Sequence, residues 1–325
     1  MKIRAAAVRL DARSAAIAAV VLANCGAAAQ ARINGELGSR LHDGILAGLI
    51  SMTGGLLVLL LIVPVTAAGR RSVRRVRDAL RSGELRWWQV LGGINGGLFV
   101  ASQGLTAAAL GVTVFTVAVV AGTSAGSLLV DRAGLGPGGK LPFTPARITG
   151  AVLCVAAVVV AGRGRLGGTG LLVILPLVAG AGLAWQMAVN GRVREAAKSP
   201  FAAALVNFAV ATVALTLVFG IELAVRGAPT GRAPHDWWLY LGGLPGVIVI
   251  AVAAATVRRI GVLVLGLAGV AGQLTGALAI DAAGGRAPMA ATWAGVILTV
   301  IAVWLSARPP KQPARTSEPT RMADH

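Results

Sequence analysis

Residues 27–38 read AAAQARINGELG, and residues 186–191, in mid-chain, read QMAVNG. The first stretch closes an apolar run, Ser14–Ala31, behind a basic N-terminus, which is how a secretory signal peptide ends. The residues LANC just before it resemble a lipoprotein cleavage box. The second stretch argues against cleavage. Gln30–Gly35 (QARING) and Gln186–Gly191 (QMAVNG) match at an offset of 156 residues, and the later copy lies where no signal peptide could be. Asn24 also precedes Cys25 where a cleavage box needs a small residue. The expectation is a retained first helix, with no cleaved signal peptide, in a chain that repeats itself.

Composition sets the environment. Of 325 residues, 56% are hydrophobic and 13% are charged, with a mean hydropathy of +0.78. Soluble domains carry about 25% charged residues. Here the charges cluster, and long uncharged runs lie between them. A membrane-spanning helix needs about 20 apolar residues, so the chain reads as an all-α polytopic membrane protein. The net charge of +18 is explained by basic loops that orient helices. No aromatic-interleaved basic patch calls for nucleic acid.

The repeat continues in order. Ser51 falls on Asn207 at the same offset. WWQVLGGINGG from Trp87 meets WWLYLGGLPGV from Trp237 at an offset of 150, which carries Gly111 onto Gly261, Gly122 onto Gly272, Gly126 onto Gly276 and Asp131 onto Asp281. RITGAVL from Arg147 meets TWAGVIL from Thr292. The run Trp87–Val130 would measure about 66 Å as one helix, twice a bilayer, so a hairpin is expected near Gly111 and another near Gly261. Ten helices follow, near 14–33, 44–66, 87–108, 111–130, 147–163, 168–190, 201–223, 237–256, 260–280 and 289–306. They form a first five-helix repeat (1–165) and a second (166–306). The proline-rich polar tail, 307–325, is expected to be disordered.

With the N-terminus inside, 23 of the 30 Lys and Arg fall on inner segments, which favours an N-in, C-in topology. Five is odd, so the second repeat enters the membrane inverted. Two inverted halves that exchange conformations open a path to alternate sides, which is the logic of secondary transport.

Candidate residues follow from membrane cost. Polar groups at depth tend to face the bundle interior or a water path. The candidates are Gln30, Gln186, Ser51, Asn207, Gln103, Thr123, Gln273 and Thr275. Asn34 and Asn190 precede glycines and read as helix C-caps. Gly92 and Gly96, Gly122 and Gly126, Gly242 and Gly246, and Gly272 and Gly276 form paired small-residue motifs for close helix packing. Asp131 and Asp281 end equivalent helices and are candidate gate charges, Asp131 near Arg132 and Asp281 near Arg286. Cys25, Cys154, His42, His235 and His325 make no metal-type spacing. No nucleophile–base set or Walker loop is present, so neither an enzyme nor a bound cofactor is expected.

These motifs resemble the drug/metabolite transporter superfamily, and more closely its YdcZ-like branch of bacterial inner-membrane proteins. The resemblance rests on Gln186–Gly191, the WWxxLGG starts at Trp87 and Trp237, and AGQLTGALAID from Ala271 to Asp281. It implies an EamA-like fold and a small-molecule carrier in the bacterial inner membrane. Small multidrug relatives rely on a glutamate in the first helix. Residues 14–33 and 168–190 have none, which argues against proton-coupled export of cationic drugs. The expected partners are a small polar or amphipathic metabolite and the bilayer, with a homodimer as a further option. The competing reading is a non-transporting scaffold or partner subunit.

Overall fold

The computed structural model describes residues 12–140, 142–163, 167–285 and 288–306. The tail expected to be disordered lies outside them, as does Arg286. The described residues are helical, without strands. The helices are α1 (Ala12–Leu41), α2 (Gly44–Ile62), α3 (Ala67–Ser82), α4 (Gly93–Ser102), α5 (Ala108–Leu110), α6 (Val112–Ala133), α7 (Pro145–Gly162), α8 (Ile174–Ala197), α9 (Pro200–Arg226), α10 (Leu244–Ala283) and α11 (Ala290–Ser306). Short 3-10 segments, Trp87–Val90, Gly167–Val173 and Trp237–Leu241, lead into α4, α8 and α10.

Among the described residues, seven stretches are long and apolar enough to cross a membrane: α1, α2, α6, α7, Gly170–Ala197, α9 and Val264–Ala283. The other three expected spans are shorter or interrupted. The 87–108 span is divided between the Trp87–Val90 turn, α4 and a π-helical turn at Gln103–Ala107. Leu244–Thr256 and Ala290–Leu305 are apolar but short. The chain is a multi-pass helical membrane protein.

Local chemistry sets the boundaries. The α1–α2 and α8–α9 connections are twins. His42 (φ 54°) and Lys198 (φ 51°) are the two non-glycine residues with positive φ among the described residues. Each is followed by an N-cap, Asp43 accepting from the Leu46 amide and Ser199 accepting from the Ala202 amide. The separation, 42 to 198, is again 156 residues. An N-cap oxygen satisfies one of the four amides that a helix leaves unpaired at its start.

Two expectations are corrected. Asn34 and Asn190 are not C-caps, because α1 and α8 continue past them to Leu41 and Ala197. The basic stretch that begins at Arg70, between the expected spans 44–66 and 87–108, is not a connecting loop but for the most part the amphipathic helix α3. Its Ser72, Val76 and Ala79 are buried.

The hairpin expected at Gly111 is present. Gly111 adopts φ 83°, ψ 150° between α5 and α6, a conformation closed to side chains bearing a Cβ. The hairpin expected near Gly261 takes another form. Helical hydrogen bonding runs through Leu244–Ala283, yet the chain cannot be straight. A Cβ on Gly26 would lie 3.7 Å from Pro245, while one on Gly276 would lie 2.7 Å from the Cα of Cys25. A straight helix would separate residues 245 and 276 by about 46 Å. The chain therefore doubles back between Pro245 and Gly276, and α1 lies against both arms.

The halves interlock reciprocally. A Cβ on Gly272 would strike the carbonyl of Val21, and one on Gly122 would strike that of Leu177. Gly276 faces Cys25 as Gly126 faces Ala181, at 2.7 and 2.8 Å from the respective Cα atoms. Gly243 abuts the Ser51 carbonyl as Gly93 abuts that of Asn207. Every member of these pairs is related to its twin by 150 or 156 residues. The glycine motifs lie at these contacts. They let backbones touch where lipid supplies little hydrophobic drive. Around this interface, one apolar core joins α6, α7, α10 and α11 through Cys154, Ala157, Leu274 and Val296. A second joins α2, α4, α9 and α10 through Met52, Val100, Phe208 and Val247.

Candidate polar site at the interlocked helices

The 3.6-residue period places Gln30 and Asn34 on one face of α1, and Gln186 and Asn190 on one face of α8. Opposite each face the partner backbone carries glycine. A Cβ on Gly242 would run into Oδ1 of Asn34, and one on Gly92 would lie 2.8 Å from Oδ1 of Asn190. Gly246 and Gly96 likewise leave room for Gln30 Oε1 and Gln186 Nε2, at 3.3 and 3.1 Å. Glycine is needed here to hold the amides, not only to bring helices together.

Two polar clusters result. In one, Asn34 Nδ2 donates to Gln103 Oε1 at 2.7 Å, and Ser51 Oγ lies beside Gly242. In the other, Gln186 Nε2 and Asn190 Nδ2 both donate to Asn207 Oδ1, at 3.0 and 2.9 Å. Gln30, Asn34, Ser51, Gln103 and Asn207 are all buried. Phe208, next to Asn207, reaches across to Gly246 and Gly55, so the aromatic ring links the second cluster to the helix faces of the first. Asn34 Oδ1, Ser51 Oγ and Gln186 Oε1 are buried without a hydrogen-bond partner. Leaving such a group unsatisfied costs about 1–3 kcal/mol.

The remaining candidates separate. Gln273 Nε2 donates to Asn24 Oδ1 at 3.3 Å, joining α10 to α1. Its twin Thr123 donates to Val119 O and lies 3.0 Å from Gly180 O, joining α6 to α8. Both act at helix contacts, away from the two clusters. Thr275 is exposed on α10.

The two aspartates, twins in sequence, are used differently. Asp281 is 3% exposed and accepts from the amides of Val112 and Thr113 at 2.9 and 2.8 Å. It therefore caps α6 immediately after the Gly111 break, from the other half of the chain, where the helix dipole favours an anion. Asp131 instead pairs with Arg147, not with Arg132, whose guanidinium sits 5.9 Å from the Phe143 ring centroid. Two apolar grooves occur elsewhere, one between α1, α10 and α11 near Trp304 and one between α6 and α7 near Phe143. Neither includes the amides. Among the described residues no cluster of His, Cys, Asp and Glu could hold a metal.

No curated protein matches this chain. One family profile does, described as "Putative inner membrane exporter, YdcZ", and it matches twice, over residues 15–160 and again over 171–305. The two matches fall on the two interlocked halves. The chain belongs to the YdcZ family of the drug/metabolite transporter superfamily.

Proposed function

We propose that this protein is a secondary transporter of a small polar or amphipathic metabolite, working by alternating access between two inverted five-helix halves. The observation that carries the reading is the reciprocity of the contacts. Helix α1 of the first half grips the 244–283 hairpin of the second, and α8 of the second grips the 93–133 hairpin of the first, through twin residues. Exchanging the two arrangements conserves the kinds of contact made, so the two states lie close in energy while opening to opposite sides.

Ten crossings complete the topology, with the N-terminus inside. Five crossings separate the His42 turn from the Lys198 turn, which puts the twin turns on opposite faces. The asymmetry at the aspartates fits one state of the cycle. Asp281 holds the Gly111 end shut, and Asp131 is disengaged from the corresponding place. The unpaired oxygens of Asn34, Ser51 and Gln186 suit a solute with N–H or O–H donors, and a neutral amide lining suits an uncharged or zwitterionic one.

The test is a thermal-shift screen of metabolites on the purified protein, followed by counterflow in proteoliposomes with any that stabilise it. Asn207→Ala strands the donors of Gln186 and Asn190 and is expected to abolish flux while leaving the protein monodisperse. A protein that is stabilised by no metabolite, carries no flux and co-purifies with a fixed partner is a scaffold, and the transport reading fails.

A further inference from the structure

Helix α3 plays no part in the interlock, and its composition is unlike that of the other helices. Between residues 67 and 86 the chain has seven arginines against Asp78 and Glu84. Val76 and Ala79 pack on Val193, Ala197, Ala202 and Ala203, so α3 lies across the end of the α8–α9 pair, at the Lys198 turn. That turn adds Arg192, Arg194 and Lys198 against Glu195.

The helix is held at a definite depth. It follows the apolar α2 after four residues and precedes the next apolar segment by four. Leu61, Val65 and Trp87, flanking it, are each more than 70% exposed, as suits side chains that face lipid. Arg70 donates to the carbonyls of Pro64 and Val65, both at 2.9 Å, and ties the start of α3 to the end of α2. Both ends of a helix about 24 Å long therefore rest at the hydrocarbon edge. From there the guanidinium groups on its outer face reach the headgroup layer. Arg71, Arg74, Arg75 and Arg81 are exposed, and among the described residues none has a carboxylate within ion-pair distance; only Arg77 does, with Asp78.

We propose that α3, with the Lys198 turn, is a binding site for anionic phospholipid headgroups in the leaflet it faces. An array of unpaired guanidiniums at headgroup depth complements phosphate diesters carrying net negative charge, and lipids with zwitterionic headgroups offer less. The proposal needs only that the chain is a multi-pass membrane protein and is independent of transport.

The test compares the full-length protein in nanodiscs of phosphatidylcholine alone with nanodiscs containing phosphatidylglycerol, and measures lipid retained per protein by native mass spectrometry after release. Preferential retention of phosphatidylglycerol by the wild type is expected. It should fall about tenfold or more in Arg71→Gln/Arg74→Gln/Arg75→Gln/Arg81→Gln, and survive both in the matching lysine variant and in Arg226→Gln/Arg232→Gln on another loop. Inorganic phosphate at millimolar concentration should not displace the lipid. Equal retention of the two lipids by the wild type overturns the proposal. So does undiminished preference in the glutamine variant, or displacement by free phosphate. If the glutamine variant does not fold, the wild-type preference and its loss at high salt decide the matter alone.

Discussion

Asp281→Asn tests whether one carboxylate holds one face of the protein closed. The carboxylate accepts two amide hydrogens, from Val112 and Thr113, at 2.9 and 2.8 Å in a buried site. An asparagine in the same rotamer keeps one of these bonds through its carbonyl and turns an amide donor toward the other. One bond is lost outright and the other loses its charge assistance, together at least roughly 1.5–3 kcal/mol. Taking about 2 kcal/mol, the ratio of open to closed conformers at the Gly111 end rises about 30-fold.

The readout is a cysteine at Thr113, whose hydroxyl is fully buried and unpartnered, in a Cys25→Ala, Cys154→Ala background. Its rate of modification by a small polar thiol reagent should rise by that factor in Asp281→Asn. The twin variant Asp131→Asn breaks only a partly exposed ion pair with Arg147 and should change the rate less than threefold. A rate that does not move in Asp281→Asn, in a protein that remains folded, refutes the closure argument.

Other outcomes follow from the same contacts. Gly243→Leu drives a side chain into the Ser51 carbonyl and should destabilise by at least about 1–3 kcal/mol, read as a lower melting temperature in detergent. Gly220→Leu, which meets open space on α9, should leave it unchanged. Lys198→Gly relieves a side chain held at φ 51° and should leave stability unchanged or raise it by up to about 1 kcal/mol. Lys198→Val should lower it.

Several features of this fold are plain in the letters of the chain. Gln-x-x-x-Asn-Gly and Trp-Trp-x-x-Leu-Gly-Gly each occur twice because the same backbone approach is needed twice, and only glycine and amides satisfy it. Gly111 announces a hairpin because an uncharged run of that length cannot be one span. The twin turns are hidden, since His-Asp and Lys-Ser share no letters and are alike only in backbone angles and cap chemistry. Helix α3 is hidden too, because arginines dominate a buried stripe of only Ser72, Val76 and Ala79. The role of Asp281 rests on backbone amides, which every residue but proline carries and which no motif records. The glycine after Asn34 and Asn190 imitates a helix end, although α1 and α8 run on past it. The asparagines' spacing of four from Gln30 and Gln186 is the signal that places each with its glutamine on one helix face.

Inverted halves require the loops that follow α3 and α9 to face opposite sides of the membrane. Ser82 ends α3, which covers the Lys198 turn. Thr230 lies 3.3 Å from His42 at the twin turn. Single cysteines at these two positions, in the Cys25→Ala, Cys154→Ala background, are labelled in intact cells with a membrane-impermeant thiol reagent. Inversion predicts labelling at 230 in intact cells and at 82 only after permeabilisation. Labelling of both positions alike would put the twin turns on one face and contradict it.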